Sequence, residues 1–204
     1  MGGLRESQKA DRDRRIVAAA TDLFRNTGFE QTRMETIAAR AGVSTGTVYN
    51  YYESKGDLLV AIVSLEVEEV LAAGARLVAK PPADVHRAVD TLLGIYLDHS
   101  LVYLDRNMWR NAMALAIRQP DTPSGRRYNE LDTRLVRQVC ELVERLRDAG
   151  RVRADTDSCA VGELLFNNTN MMFTEFVKSD TMTLAQLKRA IRRQNRPLLA
   201  AVAG

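Results

Sequence analysis

The sequence predicts an all-α protein of about nine helices, a short three-helix helix-turn-helix unit followed by a larger helical domain. Three observations predict it. Apolar residues recur at three- and four-residue spacing in one window after another. Helix-start residues stand just before such windows, at Thr32, Ser44, Ser54, Asp84 and Thr183. Glycines and prolines fall between the windows, at Gly28, Gly42, Pro81-Pro82, Gly125 and Gly150. The chain of 204 residues has room for one or two domains with cores of their own. At 46% hydrophobic and 27% charged, its composition is that of an ordinary globular protein. No apolar run approaches the roughly 18 residues of a membrane span, and the polar first residues predict no secretory leader.

Residues 12–27 place Ile16, Ala19, Ala20, Leu23 and Phe24 on one helical face, with Gly28 as the expected stop. Thr32 and Glu35 have capping-box spacing before a helix with the stripe Met34, Ile37, Ala38 and Ala41. Gly42 permits a sharp turn, because glycine alone takes a positive φ freely. Val43 plugs that turn, and Ser44 is expected to cap a helix over 45–51. Ser54 and Asp57 form a second capping box, opening a helix that runs to about Gly74. Pro81-Pro82 is a loose break, after which Asp84 opens a helix with Val85, Val89, Leu92, Leu93, Tyr96 and Leu97 apolar. A further helix covers roughly 102–118, and Gln119 to Gly125 reads as a loop. Long amphipathic helices follow over 126–149 and 156–178, and Thr183 with Gln186 caps the last, 184–203. Pro197 is expected to kink or end it, since it lacks an N–H.

Two short helices meeting at Gly42-Val43, with a third opening at Ser54, have the layout that places one helix in the major groove of DNA. Charge alone would not indicate this. Among residues 1–60 there are nine Lys and Arg against eight Asp and Glu, and the net charge is only +3 overall. The segment Thr32–Leu59 resembles the tetracycline-repressor (TetR-like) family of transcription regulators. The residues that carry the resemblance are Thr32, Ile37-Ala38, Ala41-Gly42-Val43-Ser44, Gly46-Thr47, Tyr49, Tyr51-Tyr52, Ser54-Lys55 and Leu58-Leu59, with Gly28-Phe29 upstream. It covers roughly residues 12–62; beyond them only length and helical layout agree.

In the 45–51 helix, Val48 and Tyr52 are expected to face inward, leaving Thr45, Gly46, Thr47, Tyr49, Asn50 and Tyr51 toward the groove. Gly46 lets backbone approach the duplex. Thr45 and Thr47 suit phosphate or base, and Asn50 suits adenine. Tyr49 and Tyr51 offer hydroxyls to phosphate, with Tyr51 equally placed for packing. Lys55 is badly placed for the dipole of its own helix, which a phosphate partner explains; the resemblance implies the same role. Arg33 is a further contact from the preceding helix. Glu35 stands where the family often carries a basic base-reading residue. The run from Arg5 to Arg15 is either a source of phosphate or minor-groove contacts or a solvated tail.

The chain divides into a DNA-binding part, 1–60, and an effector-binding and dimerisation part, 61–204. The last two helices carry Val161, Leu164, Leu165, Met172 and Phe176, then Leu184, Leu187, Ile191, Leu198 and Leu199. They are expected to form a homodimer interface, the four-helix arrangement the resemblance implies, or else to finish the core of a single chain. Candidates for an apolar effector pocket are Leu92, Tyr96, His99, Trp109, Met113, Leu135, Phe166, Asn167, Asn170, Met171 and Phe173. Asn167 and Asn170 interrupt an apolar helix, and an effector or a hydrogen bond across the dimer would satisfy them.

No HExxH, CxxC, P-loop or GxGxxG pattern is present, and the histidines are His86 and His99 alone, so neither an enzyme nor a cofactor or metal site is expected. Cys140 and Cys159 are expected to be reduced residues of a cytoplasmic protein, with a redox sensor as the alternative. The functional expectation is a regulator released from a palindromic operator by a small molecule; repression itself is what the resemblance implies. The competing class is a helical binding or dimerisation module without DNA activity.

Overall fold

A computed structural model describes residues 2–204, with side chains from residue 5 onward. Among the described residues there are nine helices: α1 (Gly2–Asn26), α2 (Met34–Ala41), α3 (Thr45–Tyr49), α4 (Lys55–Ala79), α5 (Val85–His99), α6 (Arg106–Arg118), α7 (Pro123–Asp148), α8 (Ser158–Lys178) and α9 (Leu184–Val202). The β-structure described is a single isolated bridge, Val152 with Ala203. No helix among the described residues is long and apolar enough to cross a membrane.

The expected caps mostly form. Ser44 accepts from the Thr47 N–H, Asp84 from Arg87, and Thr183 with Gln186 makes a complete capping box; Asp105, not singled out from sequence, accepts from Met108. Ser54 and Asp57 are reciprocal: the Asp57 N–H donates to Ser54 Oγ at 3.2 Å, and the Ser54 N–H to Asp57 Oδ2 at 2.9 Å.

Several expectations are corrected. α1 begins at Gly2 rather than near residue 12, so the basic run from Arg5 to Arg15 is helical. Thr32 is not a cap. It is buried, and its hydroxyl donates to the Gly28 carbonyl at 2.7 Å, satisfying the turn that closes α1. Arg33 takes the cap position of α2 in extended conformation, without a side-chain bond. α3 has five residues, and 50–51 form a turn. α4 passes through Gly74 to Ala79. α7 starts at Pro123, inside the expected loop. As first residue of a helix, proline lacks only an N–H that would have no partner in the helix. The Thr122 hydroxyl accepts from the Gly125 N–H at 3.1 Å and caps that turn. α9 continues past Pro197 to Val202, its end held from outside by Arg153 N–H on the Val202 carbonyl at 2.9 Å.

The described chain forms two compact units. One takes the chain up to Leu65 and returns for Val102–Asn129; the other is Glu66–Leu101 with Glu130–Gly204. In the first, Ile16, Phe24, Ile37, Val48, Leu58, Leu59, Ile62 and Met108 are fully buried. In the second, Leu92, Leu131, Val139, Leu142, Leu165, Phe176 and Leu187 are. Such a core carries most of the favourable folding free energy of a helical domain.

Within the second unit a polar residue sits inside this core. Gln138 of α7 is 7% exposed. Its Oε1 accepts the Tyr96 hydroxyl at 2.7 Å, and its Nε2 donates to the Leu71 carbonyl at 2.9 Å. Gly74 makes the room, since a Cβ there would collide with the Gln138 amide and stand 2.9 Å from Leu92 Cδ1. Gly74 is therefore a point of close approach between helices, not a stop.

Gly74→Ala should lower stability by about 1–3 kcal/mol in urea unfolding. Helix propensity alone would raise it by about 1 kcal/mol, so the sign of the change decides between the two readings.

Burial pushes the Asp132 carboxyl up from its ordinary 3.8 to about 6. Folding thus favours the protonated acid. That contribution is complete below pH 3.8 and is lost as pH rises through about 6. Asp132→Asn should match wild type near pH 4 and exceed its stability by about 1–3 kcal/mol at pH 7.5.

Candidate nucleic-acid interface

The turn between α2 and α3 is a Schellman stop. Gly42 has φ 66° and ψ 39°, its N–H donates to the Ala39 carbonyl at 3.2 Å, and the Val43 N–H donates to Ala38 at 3.0 Å. Met34, Ile37, Ala38 and Ala41 bury one face of α2, and Val48 buries the inner face of α3 with no exposure. Two inward contacts orient α3: Val48, and Tyr52 just beyond the helix.

Tyr52 is half-buried, and its hydroxyl donates to Asp13 Oδ1 at 2.7 Å, tying the end of the recognition segment to α1. Burial and the neighbouring carboxylate push its phenol far above its ordinary value, so it stays a protonated donor. The Tyr51 ring stacks on Tyr52 at 6.5 Å, and its hydroxyl donates to the Lys9 carbonyl at 3.3 Å.

The outer surface of α3 is open. Gly46, Tyr49 and Asn50 are exposed, and Thr45 and Thr47 half-exposed. Tyr49 is a large side chain 46% exposed. The Thr47 hydroxyl lies 2.8 Å from that of Ser44. At Gly46 nothing in the chain requires a glycine: φ is not positive, and a Cβ there would meet nothing nearer than Ser44 Oγ at 4.0 Å. Arg33 and Glu35 are both exposed at the start of α2.

Lys55 has an internal occupation that its sequence position did not reveal. Its ammonium donates to the carbonyls of Phe29 at 2.8 Å and Glu30 at 2.9 Å, and stands 4.9 Å from the Phe29 ring centre. Several bases near α3 are likewise engaged with acids. Arg40 pairs with Asp22 at 2.6 Å, and Arg14 and Arg15 both reach Asp11, at 3.2 and 3.6 Å.

Behind the recognition segment, α4 starts in a groove of about 780 Å³ lined in part by Tyr52, Asp57, Leu115, Ser124 and Arg127. The Ser124 hydroxyl donates to Asp57 Oδ1, and the Leu115 side chain lies directly against Gly56. The start of α4 is thus held by α6 and α7 within the first unit.

The expected effector residues are divided between the two units. Trp109, buried, and Met113, half-buried, belong to the first unit; the others belong to the second. There Tyr96 is buried with its hydroxyl on Gln138, and Leu92, Phe166 and Phe173 are buried. Leu135 is half-buried. His99 is set between two acids, Nδ1 at 2.7 Å from Glu66 and Nε2 at 2.9 Å from Glu69. Asn167 and Met171 lie on the exposed side of α8, Met171 at 61%, whereas Asn170 is half-buried. Two buried amides of this unit were not singled out from sequence: Gln138, and Asn195, which accepts from the Asn168 side chain at 2.7 Å. Gln138 stands on the apolar stripe of α7 between Leu131 and Leu142, and that interruption was its available signal.

The expected dimer stripe is corrected in part. Val161, Leu165, Phe176, Leu187, Ile191 and Leu199 are buried within the chain itself. What α8 leaves open is a strip with Leu164, at 56%, and Met171.

Residues 16–62 match the family model for bacterial regulatory proteins of the tetR family. A fatty acid metabolism regulator protein of Bacillus subtilis is 22% identical over 180 residues, spanning 85% of this chain and 87% of its own. The crystal structure of a TetR-family regulator from Mesorhizobium loti superposes with a TM-score of 0.73 at 24% identity, covering 96% of this chain and 98% of that one. FadR of Thermus thermophilus, a TetR-family repressor solved with lauroyl-CoA, superposes with a TM-score of 0.65 at 23% identity over 92% of each chain. The matched segment contains the whole of α2, the Gly42 turn and α3, and it is over this segment that the chain is similar to the tetR family of bacterial regulatory proteins.

Proposed function

We propose that this protein is a ligand-responsive transcriptional repressor that binds a palindromic operator as a homodimer. Residues 1–60 serve as its DNA-binding part and 61–204 as its effector and dimerisation part. The observation that carries the reading is the outer surface of α3. It presents Thr45, Gly46, Thr47, Tyr49 and Asn50 together, and Gly46 has no reason within the chain to lack a side chain. A duplex against that surface supplies the reason, because backbone at Gly46 can then approach it closely. Arg33, Tyr51 and Lys55 flank the same surface. For Tyr51 and Lys55 a phosphate contact is shared with, or exchanged for, the carbonyls they hold.

One five-residue recognition helix spans few base pairs. Two copies related by a two-fold axis read half-sites about one helical turn apart, or a multiple of it. The open strip with Leu164 and Met171 on α8 is the apolar surface offered to the second copy. Release follows when an effector bound in the second part shifts α4 and alters the spacing of the two recognition helices. The effector class to test first is the long-chain acyl-CoA, because the Thermus relative was solved with lauroyl-CoA.

The deciding measurement is binding to DNA from upstream of the protein's own gene, against random DNA, across a salt series. A preference of at least about 10³-fold, with two chains per site, is expected. Equal and weak binding to both fragments would leave a helical binding module. Gly46→Leu should abolish the preference without lowering urea stability, which helix propensity raises by up to about 1 kcal/mol, and Tyr49→Ala should weaken it by about 1–3 kcal/mol. Wild-type affinity in both variants would remove α3 from the interface.

Lauroyl-CoA should lower operator affinity by about tenfold or more, with free coenzyme A as the inert control. No response to acyl-CoA, with operator binding intact, would assign the effector to another chemical class.

A further inference from the structure

Two thiols far apart in sequence meet in the second unit. Cys140 lies in α7, Cys159 is the second residue of α8, and their sulfurs are 3.8 Å apart. The backbone makes this possible. Gly162, one turn beyond Cys159, packs on Cys140 so closely that a Cβ there would stand 2.6 Å from the Cys140 Cα. α7 and α8 therefore cross main chain to main chain at this point. Cys159 is exposed, and Cys140 is partly covered.

We infer that Cys140 and Cys159 form a peroxide-sensitive dithiol site that closes into a reversible disulfide within one chain. The sulfurs have to move from 3.8 Å to about 2.05 Å, a displacement within reach of rotation about the two Cα–Cβ bonds. In the first step the exposed Cys159 sulfur attacks the O–O bond of hydrogen peroxide. It keeps one oxygen as a sulfenic acid, and the other leaves as water with the thiol proton. In the second, the Cys140 sulfur attacks the Cys159 sulfur. The S–O bond breaks, and the hydroxyl leaves with the Cys140 proton as a second water. Two thiols and one peroxide thus give one disulfide and two waters.

The order of the steps follows from the surroundings. Burial, the neighbouring Cys159 and the Glu163 carboxylate push the Cys140 thiol up to about 12, which keeps it protonated and slow toward peroxide. The influence of Cys159 lapses once it is a sulfenic acid, while burial, the largest cause, remains; Cys140 is the resolving partner because its sulfur already lies 3.8 Å away.

The test treats the reduced full chain with about a tenfold excess of hydrogen peroxide and follows it by alkylation, digestion and mass spectrometry. The intact mass should fall by about 2 Da, both thiols should escape alkylation, and the peptides holding 140 and 159 should be joined. Dithiothreitol should restore both thiols. In Cys140→Ser, dimedone should trap Cys159 as its sulfenic acid. In Cys159→Ser, Cys140 should survive peroxide at least about tenfold longer than in wild type. A disulfide between two chains, oxygen added at either cysteine without the cross-link, or two thiols that outlast the peroxide would each overturn the assignment. Should a serine variant fail to fold, the joined peptide from wild type decides alone.

Discussion

One carboxylate holds the start of α4, and the recognition helix depends on it. Asp57 accepts the Ser54 N–H at 2.9 Å and the Ser54 hydroxyl at 3.1 Å, and it also accepts the hydroxyl of Ser124 from α7. An anion is favoured at this end of a helix, where N–H groups point outward without partners. The same short stretch is held from α1, by Tyr52 on Asp13, and from the turn after α1, by Lys55 on Phe29 and Glu30. Leu115 of α6 fills the space beside Gly56. Residues 52–57 are thus fixed from four sides within the first unit, and α3 ends only three residues before them. A displacement of α4, α6 or α7 at this point has a short path to the outer surface of α3.

The helices were legible because their signals are local. Ser44, Ser54, Asp84 and Thr183 cap as their spacing indicates, and a cap needs nothing beyond its own next turn. Where the expectation failed, the residue answered to something outside the element it was assigned to. Thr32 has the spacing of a cap, but its hydroxyl is buried against the end of α1 and bonds there. Gly74 looks like a stop, yet it is the opening that admits Gln138. Pro123 and Pro197 look like breaks. The first stands where a helix tolerates proline, and past the second the chain end is pinned by Arg153.

The candidate interface was more legible than the effector residues, for a related reason. A short helix with one buried residue, Val48, leaves its remaining positions outward by geometry alone. An apolar stripe on a long helix says that a face is covered but not by what. The stripe through Val161, Leu165, Phe176, Leu187 and Ile191 suited a partner chain as well as a core, and it is core. Asn167 drew notice as a polar break in α8 and is exposed, while Gln138 and Asn195 are the enclosed amides. Which polar break is enclosed depends on helix crossings, and sequence spacing does not encode those.

The charge balance of the N-terminal part constrains how it holds DNA. Nine bases against eight acids leave little net attraction, and pairing reduces it further: Arg40 is met by Asp22, Arg14 and Arg15 by Asp11, and Lys55 by two carbonyls. Each phosphate neutralised contributes a slope of about −0.9 in the logarithm of affinity against that of salt, so each base engaged within the chain makes the salt dependence shallower and non-specific binding weaker. In the proposed complex, discrimination then falls to the outward groups of α3 and to the doubling of that surface by a second copy. An operator contact built this way is sensitive to geometry more than to charge. In the proposed dimer, a change in the spacing of the two α3 surfaces disturbs contacts on both half-sites at once, whereas a diffuse cationic surface would tolerate it. In the proposed function, the near-neutral helix-turn-helix and the firmly held start of α4 serve the same end: they make affinity depend on where α3 is held, the quantity an effector is proposed to change through α4.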